Sequence, residues 1–316
     1  MKRFIKYIFL FLIPILLIAI CLELTARSIP NPYKYKYDWM QEHAEDVQTL
    51  ILGSSHTYYG IRPEFLNGTA FNLANVAQDI KLDKFLLEYW TDKYTKLTTV
   101  IYPISYFTWS YSGLEDNREN YRCRYYRIYM NCDLYSLFSK NNFELSDLTT
   151  ARSKITRGLR GIRNKNMSIG CDQLGWGDDY TLANKNSYLW NDEKSTINVI
   201  DIHTNNDEDL INSNFKLTKE IADFCKDHKI RMILVTTPCW HTYNDKLDKK
   251  QISSMYKLIH QLQQEYGLTY LDYMRDGRFD ADDFYDSNHL SDQGAIKFTK
   301  ILNEDLKSAT AQSPVR

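Results

Sequence analysis

The first strong pattern along this chain is an unbroken apolar run from Tyr7 to Leu22, preceded by Lys2, Arg3 and Lys6 and ended by Glu23. At about 1.5 Å per helical residue the run spans about 24 Å, against a hydrocarbon core of about 30 Å. Phe4 and Ile5 lengthen it at one end, and Lys6 can snorkel to the interface. Pro14 can kink such a helix without preventing insertion. A signal peptide shares the basic start and short apolar core. Leu24-Thr25-Ala26 is a poor cleavage site, however, and the Ile20-Cys21 pair does not fit lipoprotein processing. Residues 1–26 therefore read as an N-terminal anchor, with a cleaved signal as the alternative. The positive-inside rule leaves Lys2, Arg3 and Lys6 in the cytoplasm and the rest of the chain outside it.

Beyond a linker at 27–46, which holds Pro30, Pro32 and alternating Tyr and Lys, the pattern changes to short apolar runs separated by amphipathic ones. Val47–Leu52, Ala70–Leu73, Thr98–Ile104, Arg231–Pro238 and Thr269–Tyr273 predict strands. Helical periodicity covers Ile80–Tyr94, Ile211–His228, Gln251–Tyr266 and Ser291–Leu306, the last capped by Ser291. Apolar strands alternating with helices imply a mostly parallel sheet covered on both faces. Between about 106 and 210 the alternation stops, in a stretch rich in Tyr, Arg, Asn and Asp whose clearest helix is 145–163. That stretch reads as an irregular insertion on one domain running from 47 to 310.

Composition narrows the classes. Net charge is −1, so there is no basic excess to favour nucleic acid. The 24 tyrosines fit core and interfacial packing, with a carbohydrate-stacking surface as the second option. Outside the apolar run lie Cys123, Cys132, Cys171, Cys225 and Cys239, an odd number, of which Cys123 and Cys132 are near enough in sequence to pair. No Cys or His spacing matches a zinc site, and no metal or organic cofactor is implied. Arg122, Arg124 and Arg127 form either an anion site or a solvated cluster, and Asn67-Gly68-Thr69 reads as a turn.

Candidate chemistry sits in two segments. Ile51-Leu52-Gly53-Ser54-Ser55-His56 puts a serine where a strand should turn into a helix, and Asp286-Ser287-Asn288-His289 offers an acid and an imidazole three residues apart. A serine nucleophile needs a base, and the base needs an orienting acid. In an open parallel sheet, segments after the strands converge on one crevice. The non-catalytic readings are that Ser55 is a helix cap, that Asp286 caps the last helix and that His289 is a loop residue.

These residues resemble the SGNH (GDSL-type) hydrolases, and within them the membrane-anchored acyl-transfer proteins of bacterial envelope polysaccharides. Gly53-Ser54-Ser55 is similar to the first block of that family, with Ser54 in place of its Asp, and Asp286-Ser287-Asn288-His289-Leu290 is similar to the last. The resemblance covers about 47–106 and 211–307. It implies Ser55 as nucleophile, His289 as base and Asp286 as orienting acid. The family's second block normally carries a glycine, whereas Phe71–Gln78 has none, so Ala77 N–H or the Asn75 amide takes that oxyanion role. The third block normally carries an asparagine, and Tyr102–Tyr106 offers only Ser105. Losing one such donor typically costs about 10²–10³ in rate. His56 and His241 are expected at the substrate pocket, while His43, His203, His228 and His260 carry no motif and are expected to face solvent.

The expected architecture is a flavodoxin-like three-layer α/β/α sandwich with an irregular insertion, tethered outside the cytoplasm by one helix. The expected function is a serine ester hydrolase or O-acyltransferase acting on acetyl groups of an envelope polysaccharide. Its partners are the membrane, a carbohydrate and a membrane protein that delivers the acyl group. The alternative is an inactive scaffold of the same fold that binds glycan or a membrane partner.

Overall fold

The computed structural model describes residues 2–115, 118–134, 140–164 and 168–312. In chain order it begins with α1 (Lys2–Ser28), α2 (Pro32–His43), β1 (Thr49–Ile51), α3 (Ser55–Gly60), β2 (Ala70–Asn72), α4 (Ile80–Tyr89) and β3 (Thr99–Pro103). Then come α5 (Cys123–Tyr129), α6 (Leu148–Asn164), α7 (Glu193–His203) and α8 (Glu208–Asp227). The chain finishes with β4 (Arg231–Thr236), α9 (His241–Asn244), α10 (Lys249–Tyr266), β5 (Thr269–Asp272) and α11 (Asp292–Gln312). The contacts divide it into two compact units: Met1–Asp38 with Arg118–Ile169, and Trp39–Asn117 with Gly170–Arg316. Residues 32–43, in the stretch read as a linker, form a helix that buries Tyr33 and Met40.

In the larger unit all five strands run parallel, in the order β2-β1-β3-β4-β5. This is the flavodoxin-like order, with its topological switch beside β1. The strands are apolar on both faces because both faces are covered. Leu50, Ile51, Val100, Ile101, Ile233, Leu234 and Val235 are all fully buried, and each such side chain stabilises by about 2 kcal/mol relative to an exposed one. One set of packed helices pairs α3 with α11, and another pairs α8 with both α4 and α10. The helix ends follow local chemistry. Asp79 accepts the Leu82 N–H, Asp207 those of Asp209 and Leu210, and Asp248 that of Gln251.

In the smaller unit, the C-terminal end of α1 is packed and the rest of α1 is exposed. Ala26 is fully buried, whereas the large apolar side chains from Phe4 to Leu24 lie open. The Glu23 carboxylate accepts the N–H groups of Glu144 and Leu145 at 3.0 Å each, and Arg27 donates to the Asn142 carbonyl at 2.7 Å. The arginines here serve the unit's own structure, neither a solvated cluster nor an open anion site. Arg124 donates to the carbonyls of Tyr121 and Glu144 and to Asp147, Arg122 pairs with Glu119, and Arg127 donates to Asn142 and the Cys132 carbonyl. Cys123 and Cys132 are both buried, and no disulfide joins them.

Candidate active site

Ser55 is placed by the turn that leaves β1. Thr57 and Tyr58 donate their N–H groups to the Ser54 carbonyl and begin α3, so the Ser55 N–H lies ahead of the first helical bond. Gly53 turns the chain at φ +109°, its N–H bonded to Asp83 Oδ1 at 2.8 Å and its carbonyl to the Asn75 N–H at 3.2 Å. Asp83 lies on α4 and is buried, which pushes its pKa up to about 7, and it also accepts from Gln78. Within residues 51–60 only Ser55 is not buried. Ser54, the neighbouring hydroxyl, is buried.

The other half of the site is a tight loop between β5 and α11. Tyr285 N–H donates to the His289 carbonyl at 2.9 Å, and Phe284 pairs with Leu290 in an isolated antiparallel bridge. Inside this loop Asp286 Oδ1 accepts the N–H groups of Asn288 at 3.0 Å and His289 at 2.8 Å. The same carboxylate meets His289 Nδ1 with both oxygens at 3.0 Å. Burial by itself raises the Asp286 pKa, but the charge and hydrogen bond of His289 and the two backbone donors outweigh it and hold the carboxyl below its usual range. The cap of α11 is Ser291, whose Oγ accepts the Gly294 N–H at 3.2 Å, so Asp286 is not needed there. His289 Nε2 lies 2.8 Å from Ser55 Oγ. Two segments more than 200 residues apart thus meet as a hydrogen-bonded Asp286–His289–Ser55 chain, in the geometry of a nucleophile, a base and an orienting acid.

The remaining expected residues divide. Asn75 is buried, and its Nδ2 has no hydrogen-bond partner. A buried amide left unpaired costs about 1–3 kcal/mol, which asks for an acceptor that arrives later. Ala77 sits at φ +58°, a conformation glycine takes freely and alanine does not. Ser105 Oγ is 2.9 Å from His56 Nδ1, and the Asn288 amide nitrogen is 3.1 Å from His56 Nε2. Because the amide N–H donates to Nε2, a neutral His56 carries its proton on Nδ1 and donates to Ser105 Oγ, which leaves the Ser105 hydroxyl hydrogen for another acceptor. Burial, and then the proximity of His289 and His203, hold the His56 pKa well below its usual value and keep it neutral. His56 is therefore a buried brace under the site.

His241 is not at the site. Its side chain is 64% exposed and faces Asp245. His203, expected to face solvent, takes a place there instead: its ring lies 6.3 Å from His56 and 4.1 Å from Phe107, with Nδ1 2.8 Å from Tyr243 Oη. Burial and the nearby His289 push its pKa down to about 3. No local pattern marks it, because it ends α7 inside the insertion and only tertiary folding brings it in. His43 is also half-buried, stacked on Trp39, while His228 and His260 are exposed. A second unforeseen feature is a stack of Tyr59, Tyr180 and Tyr285, with centroids 3.7 and 4.0 Å apart. Tyr180 turns its edge-on contact to His289 at 5.3 Å. Among the described residues, no group of three His, Cys, Asp or Glu side chains is placed to hold a metal ion.

No protein-family profile matches this chain, and no curated protein matches it. Among solved structures, it is similar to a Bacteroides fragilis NCTC 9343 protein provisionally described as an acylhydrolase. The TM-score is 0.39 at 11% identity, covering 85% of this chain and 95% of that one.

Proposed function

We propose that this chain is a membrane-anchored serine ester hydrolase or O-acyltransferase of SGNH type, with Ser55 as nucleophile, His289 as general base and Asp286 as its orienting acid. The observation that carries the proposal is the 2.8 Å contact of Ser55 Oγ with His289 Nε2, continued through Nδ1 to Asp286. An inactive scaffold has no need to hold this chain of groups or to leave only Ser55 of its turn uncovered.

In the reaction, Ser55 Oγ attacks the acyl carbonyl carbon while its proton passes to His289 Nε2. Asp286 holds the other ring proton at Nδ1 and stabilises the imidazolium. The oxyanion takes hydrogen bonds from Asn75 Nδ2 and the N–H groups of Ser55 and Ala77, with the Ser105 hydroxyl as a further donor. Collapse breaks the ester C–O bond, and the leaving alcohol takes the proton from His289. Water or a sugar hydroxyl then gives its proton to His289 and attacks the acyl-serine, which regenerates Ser55. The rings of His56, Phe107 and His203 crowd this side of the site and favour a short acyl group such as acetyl. The tyrosine stack beside His289 favours a carbohydrate ester of an envelope polysaccharide.

Residues 1–26 serve as the anchor, with the domain at 47–310 and its insertion at about 106–210 outside the cytoplasm and supplied with acyl groups by a membrane partner. The packing of Glu23, Ala26 and Arg27 into the smaller unit supports retention of the helix, because cleavage would remove groups that its backbone uses.

A fluorophosphonate probe tests the mechanism on the full chain. Mass spectrometry is expected to find one stoichiometric adduct, on Ser55, that disappears in His289→Ala. An adduct elsewhere, or labelling indifferent to His289, removes the acyl-serine reading. Asn75→Ala is expected to lower kcat for p-nitrophenyl acetate by about 10²–10³ with KM little changed, since the donor acts on the oxyanion. An equal loss in Asn75→Asp and none in Asn75→Ala would remove Asn75 from that role.

A further inference from the structure

We propose that α6 docks on the membrane surface, its apolar stripe in the interface and its arginines on anionic phospholipid headgroups. The inference rests on α1 spanning the bilayer. Leu148, Ile155, Leu159 and Ile162 recur at i, i+7, i+11 and i+14 and fall within about 60° of one another on the helix. The residues that face the protein are Ala151, Lys154 and Gly158, so the apolar stripe lies beside the packed face and only Ile155 is half covered. Leu148 is 71% exposed, Leu159 58% and Ile162 60%. Arg152, Arg157, Arg160 and Arg163 are exposed too, and the helix has no acidic residue.

Three observations place this stripe at the bilayer rather than in water. First, α6 belongs to the same compact unit as α1 and packs on it, and a Cβ on Gly158 would lie 2.2 Å from Cδ1 of Ile29, the residue that follows α1. Leu159 and Ile162 therefore sit within one turn of the place where α1 ends. Second, Glu144 and Leu145, just before α6, are bonded to Glu23 at the end of the apolar run, and the adjoining Phe143 is 58% exposed. Third, the exposed apolar side chains of α1 continue to Leu24, five residues or about 7.5 Å of helical rise before Ile29, which places Ile29 at about the depth of the headgroup region. Arg152 and Arg163 flank one edge of the stripe, within about 40° of it, and Arg160 and Arg157 follow farther round the helix. An apolar stripe with arginines beside it at that level matches the pattern of interfacial helices. Anionic headgroups are the complementary charge.

The test uses the full chain in phosphatidylcholine vesicles that carry a diazirine-bearing phospholipid, with and without phosphatidylglycerol. After irradiation, cross-linked peptides are mapped by mass spectrometry. Cross-links are expected in α1 and also at Phe143, Leu148, Leu159 and Ile162, the second group increasing with phosphatidylglycerol. A variant with Arg152, Arg157, Arg160 and Arg163 all replaced by Gln is expected to lose labelling of α6 at least about tenfold, with α1 unaffected. Ester turnover serves as its folding check. Labelling of α1 alone overturns the docking and leaves the stripe to a protein partner. Labelling of neither helix overturns the spanning reading together with the docking. Labelling of α6 that ignores both phosphatidylglycerol and the Gln variant overturns the role of the headgroups.

Discussion

Ser55→Ala and His289→Ala are each expected to reduce p-nitrophenyl acetate turnover by about 10⁴–10⁶-fold, and the double variant is expected to be no worse than either. That non-additivity is the sharper criterion. In the proposed mechanism Ser55 and His289 act as one unit through their 2.8 Å contact, so removing either leaves the other with nothing to do. Two unrelated structural lesions would instead multiply. Asp286→Asn is expected to cost about 10⁴ while preserving the fold. The replacement Oδ1 can still accept the backbone N–H groups of Asn288 and His289, but its amide can face Nδ1 as a donor and favour the wrong tautomer. The proposed mechanism assigns the activity to Ser55 and to no thiol. Cys239 lies beside Asn288, but burial raises its pKa and keeps it a neutral thiol. Exposed Cys21 lies on α1, and any acylation there would survive every one of these substitutions. Turnover that does survive them is therefore not catalysis by the triad, and the proposed mechanism fails on that result.

The parts of this molecule legible in the sequence are those fixed by local pattern. Arg231–Pro238 reads as a strand because Met232–Val235 is apolar on both faces, and β4 fills its first six residues. The apolar period that marks Ile211–His228 and Gln251–Tyr266 finds α8 and α10 but not their first residues, which the Asp207 and Asp248 caps set. The link between Asp286 and His289 was legible for the same reason, since three residues in a closed turn bring the two side chains together. What escaped depends on contacts distant in sequence. His203 is chemically unmarked at the end of α7, and its neighbours His56, Phe107 and Tyr243 come from three other segments. Tyr59, Tyr180 and Tyr285 are three of 24 tyrosines, and nothing local distinguishes the ones that stack. His241 misled for the converse reason: it follows β4 closely, but the chain turns at Trp240, whose N–H is held by the Ser287 carbonyl, and the imidazole is left outside.

Gly53→Ala is expected to destabilise the larger unit by about 3 kcal/mol or more and to lower ester turnover together with it. Two costs combine at this position. A φ of +109° is one that L-residues rarely adopt, which contributes about 1–3 kcal/mol of strain. The new Cβ would also lie 2.0 Å from Pro103 Cγ and 2.9 Å from Thr57 Oγ1. The proline ring cannot yield, because Pro103 closes β3 and is in register with Val235 of β4, so the turn itself must move at an overpacking cost of about 1–3 kcal/mol. Moving the turn loosens the bonds that Gly53 makes to Asp83 and Asn75, and with them the positions of Ser55 and of the proposed oxyanion donor Asn75. Gly267→Ala separates strain from displacement: Gly267 has φ +68° at the end of α10, and nothing lies within 4 Å of its added Cβ. That variant is expected to lose only about 1 kcal/mol in urea denaturation and to keep full turnover. If Gly53→Ala proves as mild as Gly267→Ala in both measurements, the β1–α3 turn does not hold Ser55 in place, and the site must be positioned from the His289 side alone.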